Sequence, residues 1–111
     1  MKLADLKRQL NALGEITENR EKIETKDLYG KTLTVDEFLI VGDSNGEPYA
    51  VAHCKELPDK FHFAGSIETE ILMSIKNDDE MYAEFKQTGV KLKFEEAKSK
   101  NNRNYTKVTM V

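Results

Sequence analysis

The 111-residue sequence predicts one α+β domain that is mainly β. Period-two alternation of apolar and polar residues dominates after residue 31, and helical spacing interrupts it only between residues 66 and 88. The hydrophobic content of 39% favours a folded core over a disordered chain. We divide the sequence into an N-terminal helix with a polar arm, residues 1–31, and a β domain, residues 32–111.

The N-terminal helix is predicted by four leucines spaced three, four and three residues apart, Leu3, Leu6, Leu10 and Leu13. Gly14 stands where a glycine commonly ends a helix. The stripe is expected to pack on the rest of the chain, and the alternative is a homo-oligomer formed through the four leucines. Residues 15–31 lack a clear period and are predicted to be an extended polar arm.

Three strands are predicted next. Residues 33–41, LTVDEFLIV, have the β-branched and aromatic content of a strand, with a bulge expected at Asp36–Glu37. Asn45–Gly46 predicts a hairpin turn into the second strand, PYAVAHCKE. That strand places small residues on one face, which favours close approach of another element there. KFHFAG then predicts a short third strand.

A helical insert and a final hairpin complete the chain. Ser66 is the predicted N-cap of a helix, Asn77–Asp79 breaks or re-caps it, and Gly89 ends a second short helix. Residues 90–98 and 105–111 alternate with period two around the turn SKNNRN, which assigns one face to the core and one to solvent.

Five strands with a helix between the third and the fourth are the layout of an OB-fold, a small Greek-key barrel. The sequence therefore predicts a five-stranded OB-like barrel with an N-terminal helix and a helical insert before the C-terminal hairpin. Other five-stranded barrels and α+β sandwiches fit the same count.

Charge is distributed unevenly along the chain. Residues 31–88 hold five basic and twelve acidic side chains, whereas residues 89–111 hold six basic and two acidic ones. The whole chain has a net charge of −3, so a polyanion would be recognised only by a local patch, within a Debye length of about 8–10 Å. Such binding is expected to be of modest affinity and strongly dependent on salt.

The hairpin is the best candidate site. Its cations can follow a phosphate backbone, and its tyrosine offers a ring on which a base can stack. The candidate nucleic-acid-binding residues here are Lys91, Lys93, Lys98, Lys100, Arg103, Tyr105 and Lys107. The alternative is a solvated edge hairpin whose lysines discourage aggregation.

Phe61 is a further candidate for base stacking, together with Phe63, although alternating aromatic residues in β proteins more often belong to the core. Tyr49 is also left open between core and ligand. No metal site is predicted, because one cysteine and two histidines lack the spacing of zinc ligands. No cofactor is expected, and the absence of a phosphate loop or nucleophile elbow favours a non-enzymatic protein.

Two segments resemble small phage and prophage proteins of Gram-positive bacteria. Residues 98–105, KSKNNRNY, resemble an "SKxGRxY" hairpin of those proteins, and residues 60–65 with the helix after them are similar to the same group. The resemblance covers about residues 32–111. It implies an OB-like domain that binds single-stranded DNA through Lys91, Lys93, Tyr105 and Lys107. The sequence differs from bacterial single-stranded-DNA-binding proteins in ending at Val111 without an acidic tail.

The function predicted is non-enzymatic binding of single-stranded DNA by a phage- or mobile-element-derived protein. The alternative is a protein-interaction or assembly module, either a phage structural protein or a host-takeover protein. A single cysteine and the absence of a long apolar run favour a cytoplasmic protein without a membrane partner.

Overall fold

The computed structural model describes residues 3–42 and 48–111. In this part of the chain, three α-helices and a 3₁₀ turn pack on one mixed six-stranded sheet. The helices are α1 (Leu3–Thr17), α2 (Ser66–Lys76) and α3 (Asp79–Thr88). The strands are β1 (Glu21–Lys22), β2 (Thr32–Val41), β3 (Tyr49–Cys54), β4 (Lys60–Phe63), β5 (Val90–Lys98) and β6 (Asn104–Met110). The predicted α+β class is confirmed.

The strand order across the sheet is β1-β4-β3-β2-β5-β6. Strands β2, β3 and β4 form an antiparallel meander, and β5–β6 forms a hairpin that joins the sheet at β2. Within the described residues β1 and β6 are the two edges, so the sheet does not close into a barrel there. The prediction of five strands is wrong, because β1 adds a sixth.

The pairing of β1 explains why the sheet stays open. Glu21 and Lys22 run parallel to Lys60 and Phe61 on the side of β4 that does not face β3. The N–H of Ile23 continues this pairing by donating to the carbonyl of Phe61, at 2.8 Å. The edge that β4 would offer to close a barrel is therefore already hydrogen-bonded to β1.

The arm is part of the folded structure. Leu28, in a 3₁₀ turn at Thr25–Leu28, is completely buried in the main core. The hydroxyl of Tyr29 lies 2.8 Å from that of Thr106 in β6. The prediction of an extended arm missed these contacts, because an isolated leucine in a polar segment carries no period.

The predicted bulge in β2 is confirmed. Val35 pairs with Cys54 and Glu37 with His53, which leaves Asp36 as the extra residue. The bulge shifts the alternation, so Val35 and Phe38 both face the main core. The β2–β3 pairing is as predicted, while the Asn45–Gly46 turn lies outside the described residues.

The main core lies on one face of the sheet, beneath α2 and α3. Its largest fully buried members include Leu28, Leu72, Leu92 and Phe94. The small side chains of β3 face this core, as the sequence predicted, and the N–H of Ala50 donates to the hydroxyl of Thr69 in α2. Burial of these side chains supplies the main driving force for folding.

The ends of α2 and α3 agree only in part with prediction. Ser66 is the first residue of α2 and Gly65 is its N-cap, so the prediction that Ser66 is the cap is wrong. Asp78 caps α3, within the predicted break at Asn77–Asp79, since its carboxylate accepts from the N–H groups of Glu80 and Met81. Gly89 ends α3, also as predicted.

Helix α1 packs on the opposite face, against β2, β3 and β4. The buried side chains on this face include Ile16 and Val51, which do not belong to the main core cluster. The helix continues through Gly14 to Thr17, so the predicted end at Gly14 is wrong. None of the described helices is long and apolar enough to cross a membrane.

Candidate nucleic-acid interface

The register of the C-terminal hairpin places four of the predicted site residues on one face. Lys93 is opposite Thr109, Glu95 is opposite Lys107, and Ala97 is opposite Tyr105. Lys91 lies two residues before Lys93 on the same face, about 6.6 Å away along the strand. The predicted assignment of these side chains to the solvent face is confirmed, because Leu92, Phe94 and Val108 on the other face are buried.

This hairpin face is on the same side of the sheet as α1, but it is open. Helix α1 packs against β2, β3 and β4, and the lysines at 91, 93 and 107 are all exposed. The Tyr105 side chain is 40% exposed. We name the surface formed by Lys91, Lys93, Tyr105 and Lys107 the hairpin face.

The other predicted cations lie at the tip of the hairpin. A turn closed by the N–H of Ser99 donating to the carbonyl of Arg103, at 2.9 Å, holds Lys100 and Arg103 in solvent. Asn102 has a φ of 60°, the left-handed conformation that asparagine tolerates in tight turns. Lys98 is opposite Asn104, and strand alternation directs it away from the hairpin face. The structure therefore groups four predicted residues, adds two at the tip and separates Lys98.

Carboxylates moderate the charge of the hairpin face. The Oε2 atom of Glu95 lies 3.9 Å from Nζ of Lys93, and Glu95 is also opposite Lys107. Exposed pairs at this distance stabilise little and are screened by salt, so the lysines remain available to an incoming anion.

Glu56 is a second carboxylate beside this surface. Its two oxygens accept from the N–H of Thr34, at 2.7 Å, and from the hydroxyl of Thr34, at 2.9 Å. Burial, the largest single effect, opposes ionisation of Glu56, but the hydrogen bonds to Thr34 and the charge of Lys91 outweigh it and hold its pKa below the ordinary value. Glu56 is thus anionic at neutral pH and adds negative charge near Lys91.

Phe61 belongs to an aromatic cluster on β3 and β4. Its ring lies 6.0 Å from that of Phe63, which in turn lies 5.8 Å from the ring of Tyr49, both in edge-to-face geometry. Phe61 is half-buried, whereas Phe63 and Tyr49 are each 40% exposed. The expectation that Phe61 and Phe63 belong to the core is wrong for Phe63, because the neighbouring His62 takes the core-facing position.

Lys22, on strand β1, also contacts this aromatic cluster. Its Nζ lies 4.7 Å from the centroid of the Phe63 ring, a cation–π contact. Sequence reasoning missed Lys22, because only the parallel pairing of β1 with β4 brings it there. The alternation of residues in the sequence can identify Phe63 and Tyr49 as candidates. Whether their side chains are exposed depends on where α1 packs.

His53 lies in a polar network close to Arg20. Ligand atoms of Asp36, Glu37 and His53 lie within 4.8 Å of one another, the one such metal-compatible group in the described residues. Nδ1 of His53 is 2.6 Å from Oδ1 of Asp36, and the Arg20 guanidinium is 2.7 Å from Glu37. These three side chains are therefore held by direct contacts, a hydrogen bond between His53 and Asp36 and an ion pair between Glu37 and Arg20.

Comparison with known proteins finds no matching family, no matching curated protein and no matching solved structure.

Proposed function

We propose that this protein binds single-stranded DNA without catalysing a reaction, through the hairpin face. The observation that carries the proposal is the register of β5 and β6, which puts three lysines and one exposed tyrosine on a surface that α1 leaves open. Lysines supply charge for phosphates, while Tyr105 supplies a π-face for an unpaired base. The resemblance of residues 98–105 to phage proteins supports DNA as the ligand and a phage or mobile-element origin.

The proposed path of the strand runs along β5 and β6 toward the hairpin tip. Lys91 and Lys93 contact the backbone at one end, Lys107 and Tyr105 follow, and Arg103 and Lys100 contact it at the turn. Stacking of a base on an aromatic side chain contributes about 1–3 kcal/mol to binding and tolerates any base sequence. Because Glu56 and Glu95 lie beside the lysines, we expect modest affinity at physiological salt.

The aromatic cluster of Tyr49, Phe61 and Phe63 offers a second stacking platform on the same side of the sheet. Phe63 and Tyr49 are its exposed members, and Lys22, whose Nζ lies over one face of the Phe63 ring, places a cation beside them for a phosphate. The OB-like fold that the sequence predicts is part of this proposal. In an OB-fold the face of the second and third strands and the loop between the fourth and fifth bind oligonucleotides. Here those features correspond to β3–β4 and to the tip of the β5–β6 hairpin.

The test is fluorescence anisotropy of a labelled oligo-dT, titrated with the protein at several salt concentrations. Changing Lys93, Arg103 and Tyr105 together to Ala should weaken binding by more than about tenfold. It should also lower the slope of log K against log salt by about 1.4, because two phosphate contacts are lost.

The matched control changes Lys76 and Lys86 to Ala. It removes two positive charges, as many as the triple variant does, but from α2 and α3, which cover the opposite face of the sheet. The control should leave the salt slope unchanged. A loss below about twofold in the triple variant, or no binding of the wild-type protein at about 50 mM salt, would contradict the proposal.

A second candidate function is protein interaction or assembly, and exposed leucines on α1 favour it. Leu3 is 83% and Leu10 is 58% exposed, so this part of the predicted stripe is not covered by the described chain. Leu13 is half-buried, and the side chain of Leu6 lies outside what the structure describes. If this candidate function is right, Leu10→Lys should abolish capture of a protein partner, and neither the wild-type protein nor Leu10→Lys should bind oligo-dT.

A further inference from the structure

The outer edge of β6 carries backbone groups that no strand of the described chain pairs with. The N–H of Val111 donates to the carbonyl of Lys91, at 3.0 Å, and the N–H of Ser99 donates to the carbonyl of Arg103, at 2.9 Å. With the register of the hairpin, these bonds direct the backbone of Tyr105, Lys107 and Thr109 toward β5. The N–H and C=O groups of the even-numbered residues point away from β5. In the described residues no strand pairs with them.

In the described structure this edge has few of the features that usually protect a sheet edge. Strand β6 is seven residues long, contains no proline and pairs with β5 in unbroken register, without a bulge. It holds one lysine and no acidic residue. Three of the exposed large apolar side chains, Tyr105, Met110 and Val111, lie on it or directly after it. Such a strand is a template for another strand.

We propose that β6 pairs with β6 of a second copy of this chain, antiparallel, about a two-fold axis at Thr106. Two-fold symmetry makes the interface self-complementary, so each residue of one copy faces a fixed residue of the other. When Thr106 lies opposite Thr106 of the second copy, Lys107 faces Tyr105 of the second copy. By symmetry, Tyr105 faces Lys107 of the second copy. Each pair joins a cation to an exposed aromatic ring.

The neighbouring register with the axis at Lys107 is disfavoured. It would place the two Lys107 ammonium groups directly opposite each other, and like charges at that position destabilise a strand pair. The Thr106 register avoids this and leaves the contact between Thr106 and Tyr29 in place, because that contact lies on the core-facing side of β6. Of these two registers, charge therefore favours the one in which Lys107 faces Tyr105 of the second copy.

The dimer would join two sheets edge to edge. An antiparallel pair of edge strands related by an axis normal to the sheet keeps equivalent faces on the same side. Both hairpin faces would then form one continuous surface with twice the number of lysines. This last consequence rests on the proposed function, whereas the dimer does not.

The test is sedimentation velocity of the protein without nucleic acid, over a range of about 10–500 μM. We expect a concentration-dependent dimer. Tyr105→Lys places two lysines opposite two others and should weaken the dimer by at least about fivefold. Adding Lys107→Glu to that variant should restore it, because each lysine introduced at position 105 would then face a glutamate introduced at position 107 of the other copy. Tyr105 is exposed, so circular dichroism should show that each variant is folded.

The control variant is Leu10→Lys on α1, which should leave the dimer unchanged. A wild-type protein that stays monomeric throughout, a dimer insensitive to Tyr105→Lys, or a failure of Lys107→Glu to restore it would overturn the proposal. Loss of the dimer in Leu10→Lys alone would overturn it too and would assign the interface to α1. Because no nucleic acid is present, none of these results bears on single-stranded DNA binding.

Discussion

The Nε2 atom of His62 lies 2.7 Å and 3.0 Å from the two carboxylate oxygens of Glu68. Both side chains are almost fully buried, at 2% and 1% exposure. The imidazole and the carboxyl group are hydrogen-bond partners of each other inside the core. The imidazole also packs edge-on against Phe94, with ring centroids 5.8 Å apart. The pair therefore joins β4 to the first turn of α2 inside the core.

Glu68→Ala should destabilise the protein by about 3–5 kcal/mol, because it leaves Nε2 of His62 buried without its hydrogen-bond partner. Glu68→Gln keeps an amide oxygen of the same reach and should cost less than Glu68→Ala. Urea unfolding followed by circular dichroism measures both free energies of unfolding. A cost below about 1 kcal/mol for Glu68→Ala would show that the pair contributes little to the fold.

Position 89 requires a glycine, because its backbone lies very close to β2. Its φ is 72°, and a Cβ atom there would lie 2.7 Å from the carbonyl oxygen of Val35 and 2.8 Å from Cγ2 of Thr34. Gly89→Ala should therefore lower the free energy of unfolding by at least about 2 kcal/mol, through backbone strain and a clash with main chain. Thermal and urea unfolding check this.

Gly14 provides the matched control for Gly89. It lies inside α1, and a Cβ atom there would meet nothing within 4 Å. Gly14→Ala should stabilise the protein by about 0.5–1 kcal/mol, because alanine loses less conformational entropy in a helix. Equal effects of the two substitutions would contradict the packing described for Gly89.

Cys54 should be inert in the folded protein. Burial, aided by the negative charges of Glu68, Glu56 and Asp36, raises the pKa of its thiol to about 12. At pH 8 only about one thiol in ten thousand would be ionised, and the thiolate is the reactive form. We expect no labelling by a disulfide reagent at pH 8 in buffer and complete labelling in urea. Rapid labelling of the native protein would show that β3 is accessible there.

Glu56 should make stability depend on pH at the acidic end. Its pKa lies below 4.5, so the folded state releases the proton more readily than the unfolded chain does. The resulting stabilisation is complete above about pH 4.5 and is lost as the pH falls through the folded value.

The measurement compares thermal unfolding of wild type and Glu56→Gln at several pH values. Wild type should be the more stable at pH 7, and the difference should shrink steadily below about pH 4.5. The control is Glu70→Gln on the exposed surface of α2. A difference that stays constant with pH would exclude the hydrogen bonds to Thr34 as its source.

Local pattern was sufficient to predict much of the candidate site. Alternation in residues 90–98 and 105–111 identified which side chains of the hairpin face solvent, because the period of a strand depends on neighbouring residues only. The bulge at Asp36–Glu37 and the helix break at Asn77–Asp79 were predicted for the same reason. Each is a property of a few consecutive residues.

Other features of the site depend on contacts between distant segments. The sequence by itself determined the α+β class, the order of most strands and helices, and the solvent face of the hairpin. Only the tertiary structure decided that β1 occupies the free edge of β4, that α1 covers β2–β4 and leaves β5–β6 open, and that His62 rather than Phe63 enters the core. These outcomes depend on pairing and burial across tens of residues, which a local period does not encode.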